Sequence, residues 1–206
     1  MQKGRFIVID GGEGSGKSSV MKALREHFSE NTTIFTREPG GTTLAEDIRD
    51  ILLADSGKSL SPAAHFALFS AARLVHIERL VQPALQEGKN VISDRFDSTT
   101  FAIQVWTQSN NKLVQLFWQM REHYTNLGGR PYLYVYLDVD PEVGMFRTKT
   151  RGDQNHFDLE SLEFHHKVRQ GFKEFMVTVP CRTVDSNQPI EKVVEEVLEI
   201  VKSALA

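Results

Sequence analysis

The chain is poor in cysteine, in long apolar runs and in excess charge of either sign, and each shortage removes a class of function. Cys181 is the single cysteine, so an intramolecular disulfide, a thiolate zinc site and a dithiol redox pair are all excluded. A reducing cytoplasm suits such a chain. The apolar run nearest the N-terminus, "FIVI", is too short for a signal-peptide core, and no later stretch approaches the length of a membrane span, so no membrane association is expected. With 24 Lys and Arg against 27 Asp and Glu, the formal net charge is -3, which gives no global basic field. A nucleic-acid partner is therefore not expected. The seven histidines are scattered without metal-ligand spacing, and the N-K-x-D signature of guanine recognition does not occur. Neither internal repeats nor low-complexity tracts are found.

What is present is an alternation. Apolar runs rich in Val, Ile and Tyr, at 5 to 10, 32 to 36, 90 to 94, 132 to 138 and 181 to 185, are separated by longer segments of helical period. Helices are expected at 17 to 29, 43 to 54, 62 to 87, 98 to 106, 110 to 127, 141 to 150, 159 to 177 and 190 to 204, with Ser61 and Pro62 as cap and first turn of the third. Five strands alternating with helices indicate an α/β fold with a parallel sheet covered on both faces. The 206 residues fit one domain, 1 to 206. Ligands of such sheets gather beyond the carboxyl ends of the strands, so the loops there are the place to look for chemistry.

The first of those loops reads "DGGEGSGKSS". Gly11, four residues, then Gly16-Lys17-Ser18 match G-x-x-x-x-G-K-[ST] between a strand and a helix, the context this phosphate-binding motif requires. Gly11, Gly12, Glu13, Gly14, Ser15, Gly16, Lys17, Ser18 and Ser19 are the candidate ATP-binding residues. Lys17 would reach the β- and γ-phosphates, and Ser18 would ligate Mg²⁺. Glu13 is the unusual member, a carboxylate in a loop suited to anions. The second loop, "TREPGGT", places Arg37 at a strand end before a forced turn; the arginine either holds a second phosphate or is a surface charge beside a structural turn. The third, "SDRFDSTT", offers Asp94 for the magnesium shell and Arg95 to neutralise transferring phosphate, although Asp-Arg at a strand end is also a common surface pair. Between them, Phe66, Phe69, Arg73, Ile77 and Leu80 share one helical stripe. Phe69 and Arg73 would present a ring and a donor to a nucleobase, or the stripe is core and Arg73 meets a carboxylate.

Taken together, "GGEGSGKSS", "TREPGGT", "LFSAAR", "SDRFDSTT", "LDVDPEVG" and "VDSNQP" resemble the thymidylate kinase family from about Phe6 to Val197. The resemblance implies a P-loop kinase fold with a five-stranded parallel sheet and a short lid at about 147 to 158. It further implies a homodimer that uses ATP and Mg²⁺ to convert dTMP to dTDP. By residue, it implies that Arg37 and Arg95 hold the dTMP phosphate, Phe69 stacks on thymine and Arg73 donates to it. Thr99, Thr100 and Gln104 would line the base pocket, Glu13 would meet the 3'-hydroxyl, and Asp185 would lie in the loop that meets adenine. The P-loop centre, Gly14 and Ser15, has no base other than Lys17, so neutralisation of the transition state is expected from Arg147, Lys149 or Arg151, with Arg151 favoured. The chain departs from the family pattern at Ile103, where an aromatic residue is common, and at Asn155-His156, where an Asp-Arg pair is frequent. A broader nucleoside or nucleoside-monophosphate kinase is the rival enzyme reading that these departures motivate.

Overall fold

The computed structural model describes residues 3–109, 111–151 and 160–206. Five strands form one sheet: β1 (Phe6–Gly11), β2 (Thr33–Arg37), β3 (Asn90–Asp94), β4 (Leu133–Asp138) and β5 (Cys181–Asp185), in the order β2-β3-β1-β4-β5. Every neighbouring pair is parallel. β1 lies at the centre and is buried along its whole length, as its unbroken apolar sequence requires. The edge strands β2 and β5 carry exposed positions, which is why their sequences are more polar.

Alternate residues of the central strands face two separate cores. On one side Phe6, Val8, Val91, Tyr134 and Tyr136 pack with Phe66, Ile77, Phe101, Phe117, Phe172 and Phe175. On the other, Ile7, Ile9, Ile92, Val135 and Leu137 meet Val20, Leu24, Val193 and Val197. The helices are α1 (Lys17–His27), α2 (Thr43–Leu53), α3 (Asp55–Lys58), α4 (Pro62–His76), α5 (Gln82–Gln86), α6 (Asp97–Thr100), α7 (Val114–Tyr124), α8 (Pro141–Arg151), α9 (Leu162–Met176) and α10 (Ile190–Leu205), of which α1, α4, α5, α7, α9 and α10 supply these cores.

The expected helix at 62 to 87 is continuous, but it widens into a π-turn over Ile77–Val81 before α5. Pro83 has no N–H to donate back into the preceding turn, and a wider turn accommodates that loss. Ser61 caps its start as anticipated, accepting from the N–H of Ala64, with Pro62 in the first turn. α6 likewise runs on as a π-helix over Phe101–Gln108. From Gly152 onward the expected lid lies outside the described residues, as do Asn155, His156 and the side chain of Arg151.

Two buried polar networks pin the loops at the strand ends. Asp97, fully buried, accepts hydrogen bonds from Tyr134 (2.6 Å), Tyr124 (2.8 Å) and Arg121 (2.9 Å), which fixes the start of α6. Arg73 on α4 is only 2% exposed; its Nε donates to Glu38 at 2.8 Å and its Nη2 to Thr100 (2.8 Å) and the carbonyl of Phe96 (3.2 Å). The other Glu38 oxygen bonds His76, whose far nitrogen bonds Thr36, both at 2.8 Å. Gly41 turns the chain here with φ +83°, and a Cβ there would strike the His76 ring.

Arg73 and Glu38 are therefore a buried ion pair that ties the turn after β2 to α4 and to α6. Removing one partner strands the other in the interior. Arg73→Ala is expected to lower unfolding stability by about 3 to 5 kcal/mol, and Arg73→Ala combined with Glu38→Gln by less, in urea titrations of the two variants.

Candidate active site

The parallel register sets Ile9 of β1 beside Asp94 of β3, which places Arg95 against the start of the glycine loop. The Arg95 N–H donates to the Ile9 carbonyl at 2.9 Å, and its backbone takes φ +68°. A left-handed conformation at a residue with a Cβ costs of order 1 kcal/mol and is held only where surroundings fix it. Here they do. Nη2 of Arg95 donates to Glu13 at 2.5 Å, Nη1 to Thr99 at 3.2 Å and to the Gly11 carbonyl at 3.3 Å, and Nη1 stands 3.6 Å from Asp10. Asp10 itself is inaccessible and accepts from Ser98 (2.5 Å), Thr99 (2.8 Å) and the Gly11 N–H (2.8 Å). Burial pushes the Asp10 carboxyl above its usual range, while Arg95, Ser98, Lys17 and Thr99 draw it back.

Gly16, at φ +85°, opens α1 without a side-chain cap, so the N–H groups of its first turn face the loop and carry the positive end of the helix. Lys17 is buried and donates to the carbonyls of Gly11 and Gly12 at 2.8 Å and to Ser15 at 3.3 Å. Burial and then Arg95 lower its pKa, and Glu13, Asp94 and Asp10 oppose that. Ser18 and Ser19 are exposed at the helix start. Asp94 closes β3, and its Oδ1 is buried with no hydrogen-bond partner. An orphaned carboxylate oxygen suits a hard cation that takes a few protein oxygens and fills its shell with phosphate and water. Among the described residues no group of three or more His, Cys, Asp or Glu could hold a metal ion.

Two further segments close around the loop. Gly14, at φ +69°, lies against Gly144 of α8 so tightly that a Cβ on it would fall 2.2 Å from the Gly144 carbonyl oxygen. Arg147, one turn on, donates to the Gly14 carbonyl at 3.3 Å and to those of Ser186 (2.7 Å), Asn187 (3.4 Å) and Gln188 (3.4 Å). Ser186 in turn donates to the Ser15 carbonyl at 2.8 Å, and Asp185 accepts from Asn187 and shapes that loop. Lys149 is exposed.

Beside the Arg95 cluster lies a cleft walled by Glu13, Pro39, Arg49, Phe69, Thr99, Ile103 and Gln104. Both side-chain atoms of the Gln104 amide are buried and lack a partner. Thr99 joins this cleft; Arg73 and Thr100 do not line it, because their polar groups are spent on each other, Phe96 and Glu38. Arg37 is exposed, pairs with Glu46 at 2.9 Å, and faces the neighbouring groove with Asp94. Two arginines stand in the cleft wall, Arg95 and Arg49 of α2, and Arg49 donates to the Pro39 carbonyl at 2.9 Å. Burial, then repulsion from Arg37, lower its pKa, with Arg95 adding to the repulsion. Sequence reasoning passed over Arg49 because a cation inside an amphipathic helix carries no local mark. It also passed over Asp10, although a carboxylate ending an apolar strand before a glycine was a visible signal.

The sequence model of the family described as "Thymidylate kinase" matches residues 9–197. A curated thymidylate kinase from Clostridium novyi is 38% identical over 98% of this chain and 100% of its own length. One from Protochlamydia amoebophila is 39% identical over 97% and 93%, and one from Hahella chejuensis 35% identical over the whole of both chains. With the glycine loop, the Arg95 cluster and the five-stranded parallel sheet in place, the chain belongs to the thymidylate kinase family and has its α/β P-loop kinase fold.

Proposed function

We propose that this protein is a dTMP kinase, a phosphotransferase that moves the γ-phosphoryl group of ATP to the phosphate of dTMP and yields dTDP and ADP. The observation that carries the acceptor side is the unpartnered Gln104 amide beside the Phe69 ring in one cleft. A pyrimidine offers a carbonyl and an N–H side by side, which match an amide's donor and acceptor, and its face stacks on an aromatic ring. A buried amide with no partner in the fold is costly, and such a ligand removes that cost. Arg73 then acts behind the base, holding the turn and Thr100.

The acceptor phosphate is placed at Arg95 and Arg49, with Arg37 at the edge of the neighbouring groove. Three guanidinium groups that repel one another across this region are a favourable field for a dianion. Donor phosphates lie on the N–H groups of Gly12 to Ser19 and on Lys17, and the donor base lies by Asp185 and the Arg147 contacts. Mg²⁺, held by Ser18 and Asp94, would neutralise charge on the donor phosphates. In the transfer, an oxygen of the acceptor phosphate forms a bond to the γ-phosphorus as the bond to the β–γ bridging oxygen breaks. No general base is needed, since that oxygen is already anionic at neutral pH. The protein's part is to hold two anions in line and to stabilise charge at the transferred group, with Arg95 nearest both loops. Arg151, one helical turn beyond Arg147, supplies the lid's cation, with Lys149 as the other lid base.

The whole chain acts as one catalytic domain, in the cytoplasm. The absence of a helix long and apolar enough to cross a membrane among the described residues is compatible with that placement. Leu44 and Ile51, exposed on α2, offer an apolar surface for association as a homodimer.

Two measurements test this reading. In an assay of dTMP, dUMP, UMP, CMP, AMP and thymidine with ATP, dTMP is expected to be turned over best and thymidine not at all; a preference for another acceptor overturns the assignment. Arg95→Ala, verified as folded by its thermal transition, is expected to lower kcat by about 10³-fold or more. Near-full turnover in that variant removes Arg95 from the chemistry.

A further inference from the structure

His165, on α9, is 9% exposed, and its Nε2 is buried without a hydrogen-bond partner. Two small cavities flank it, and both are lined by Gly12, Glu13 and Val168. One of the two also takes Arg95 and Ile103 into its wall, the same residues that line the acceptor cleft with Glu13. The imidazole therefore stands directly beyond the Glu13–Ile103 wall. The rest of that cavity is apolar, formed by Ile103, Phe164, Val168 and Phe172.

The ring is held there by packing rather than by polar bonds to Nε2. Gly171, six residues on, meets the Phe101–Gln108 helix so closely that an added Cβ would come within 2.9 Å of the Ala102 Cα. α9 is thus pressed onto the helix that carries Ile103 and Gln104. Burial lowers the imidazole pKa, opposed by the charges of Glu13 and Glu160 and reinforced by His166. Most buried polar atoms in folded proteins have a partner, so an orphaned nitrogen beside a ligand cleft marks where the ligand completes the bonding.

We propose that His165 is a specificity-determining residue that hydrogen-bonds a sugar hydroxyl of the acceptor nucleotide. This rests on the acceptor placement above. With the base between Phe69 and Gln104 and the phosphate at Arg95, the sugar lies along Glu13 and Ile103, and its hydroxyl edge is turned toward α9. Ile103 offers no polar atom on that wall, so Glu13, already bonded to Arg95, and His165 are the groups able to read the edge. The bonded hydroxyl is the 3'-hydroxyl, the one free hydroxyl on the sugar of dTMP, and a 3'-deoxy analogue tests that.

The test uses the full chain and compares wild type, His165→Phe and His165→Gln. Phe keeps the ring volume against Phe164 and Val168 but has no nitrogen; Gln restores a polar atom at similar reach. Wild-type turnover of dTMP is measured first, and its absence would sink the kinase assignment, not the role of His165 within it. Given turnover, His165→Phe is expected to raise the KM for dTMP by about fivefold or more, with kcat, the KM for ATP and the thermal midpoint unchanged, and His165→Gln to recover most of the loss. A 3'-deoxy analogue of dTMP whose KM is the same in wild type and His165→Phe identifies the 3'-hydroxyl as the partner. An unchanged KM for dTMP, as expected if water satisfies Nε2, overturns the proposal. So does an equal rise in both substrates' KM, or a fall in thermal midpoint that His165→Gln does not reverse.

Discussion

The arrangement depends on one contact, the guanidinium of Arg95 lying between two carboxylates and the carbonyl of Gly11. A loop built to hold phosphate presents positive potential, and a carboxylate placed in it without compensation would repel the ligand. Arg95 provides the compensation. It bonds Glu13 at 2.5 Å, approaches Asp10, and shares Thr99 with it, so the glycine loop, the end of β3 and the start of α6 are held as one body. The left-handed backbone at Arg95 is the local cost of reaching all three from a strand end. Glu13 therefore does not face solvent as a stray charge. It stands at the seam between the glycine loop and the cleft walled by Phe69, Ile103 and Gln104.

Much of this was legible in the chain. The central strands are legible because a strand buried on both faces must be apolar throughout, and β1, β3 and β4 read as such. The glycine loop is legible because its spacing has one physical use between a strand and a helix. Arg73 posed two readings from its helical stripe, a donor to a base or a core arginine meeting a carboxylate. The second describes its observed contacts, since Glu38 takes its Nε. What the sequence did not disclose is distant pairing. Glu38 and His76, 38 residues apart, share a bond that no local pattern marks. Arg49 reaches the cleft while Arg37, in the more suggestive motif, turns to Glu46. Helix position was readable, but the π-turns in it were not, because winding responds to tertiary packing as well as to residues such as Pro83.

The contacts around the P-loop tip tie the donor side to the rest of the sheet. Gly14 and Gly144 meet backbone to backbone, and Arg147 gathers carbonyls from the tip and from the loop after β5. Behind them Asp138, at the end of β4, is bound by Arg169 at 2.6 Å and by Lys173 at 3.3 Å, while Arg169 also bonds Asp140. That ion-pair cluster joins α9 to the strand end from which α8 departs. α9 thus carries both this brace and His165, so one helix borders both the end of β4 and the glycine loop. Segments from all five strand ends converge on a single site because the parallel sheet delivers all of its carboxyl ends to one edge.

The seam placement of Glu13 is open to direct measurement by calorimetric titration of dTMP, and separately of ATP, into wild type and Glu13→Gln. Glutamine keeps the size of the side chain and removes its charge. If Glu13 faces the acceptor, the affinity for dTMP falls by about fivefold or more while that for ATP is unchanged or slightly raised. Equal weakening of both nucleotides, or no change in dTMP affinity, would contradict it.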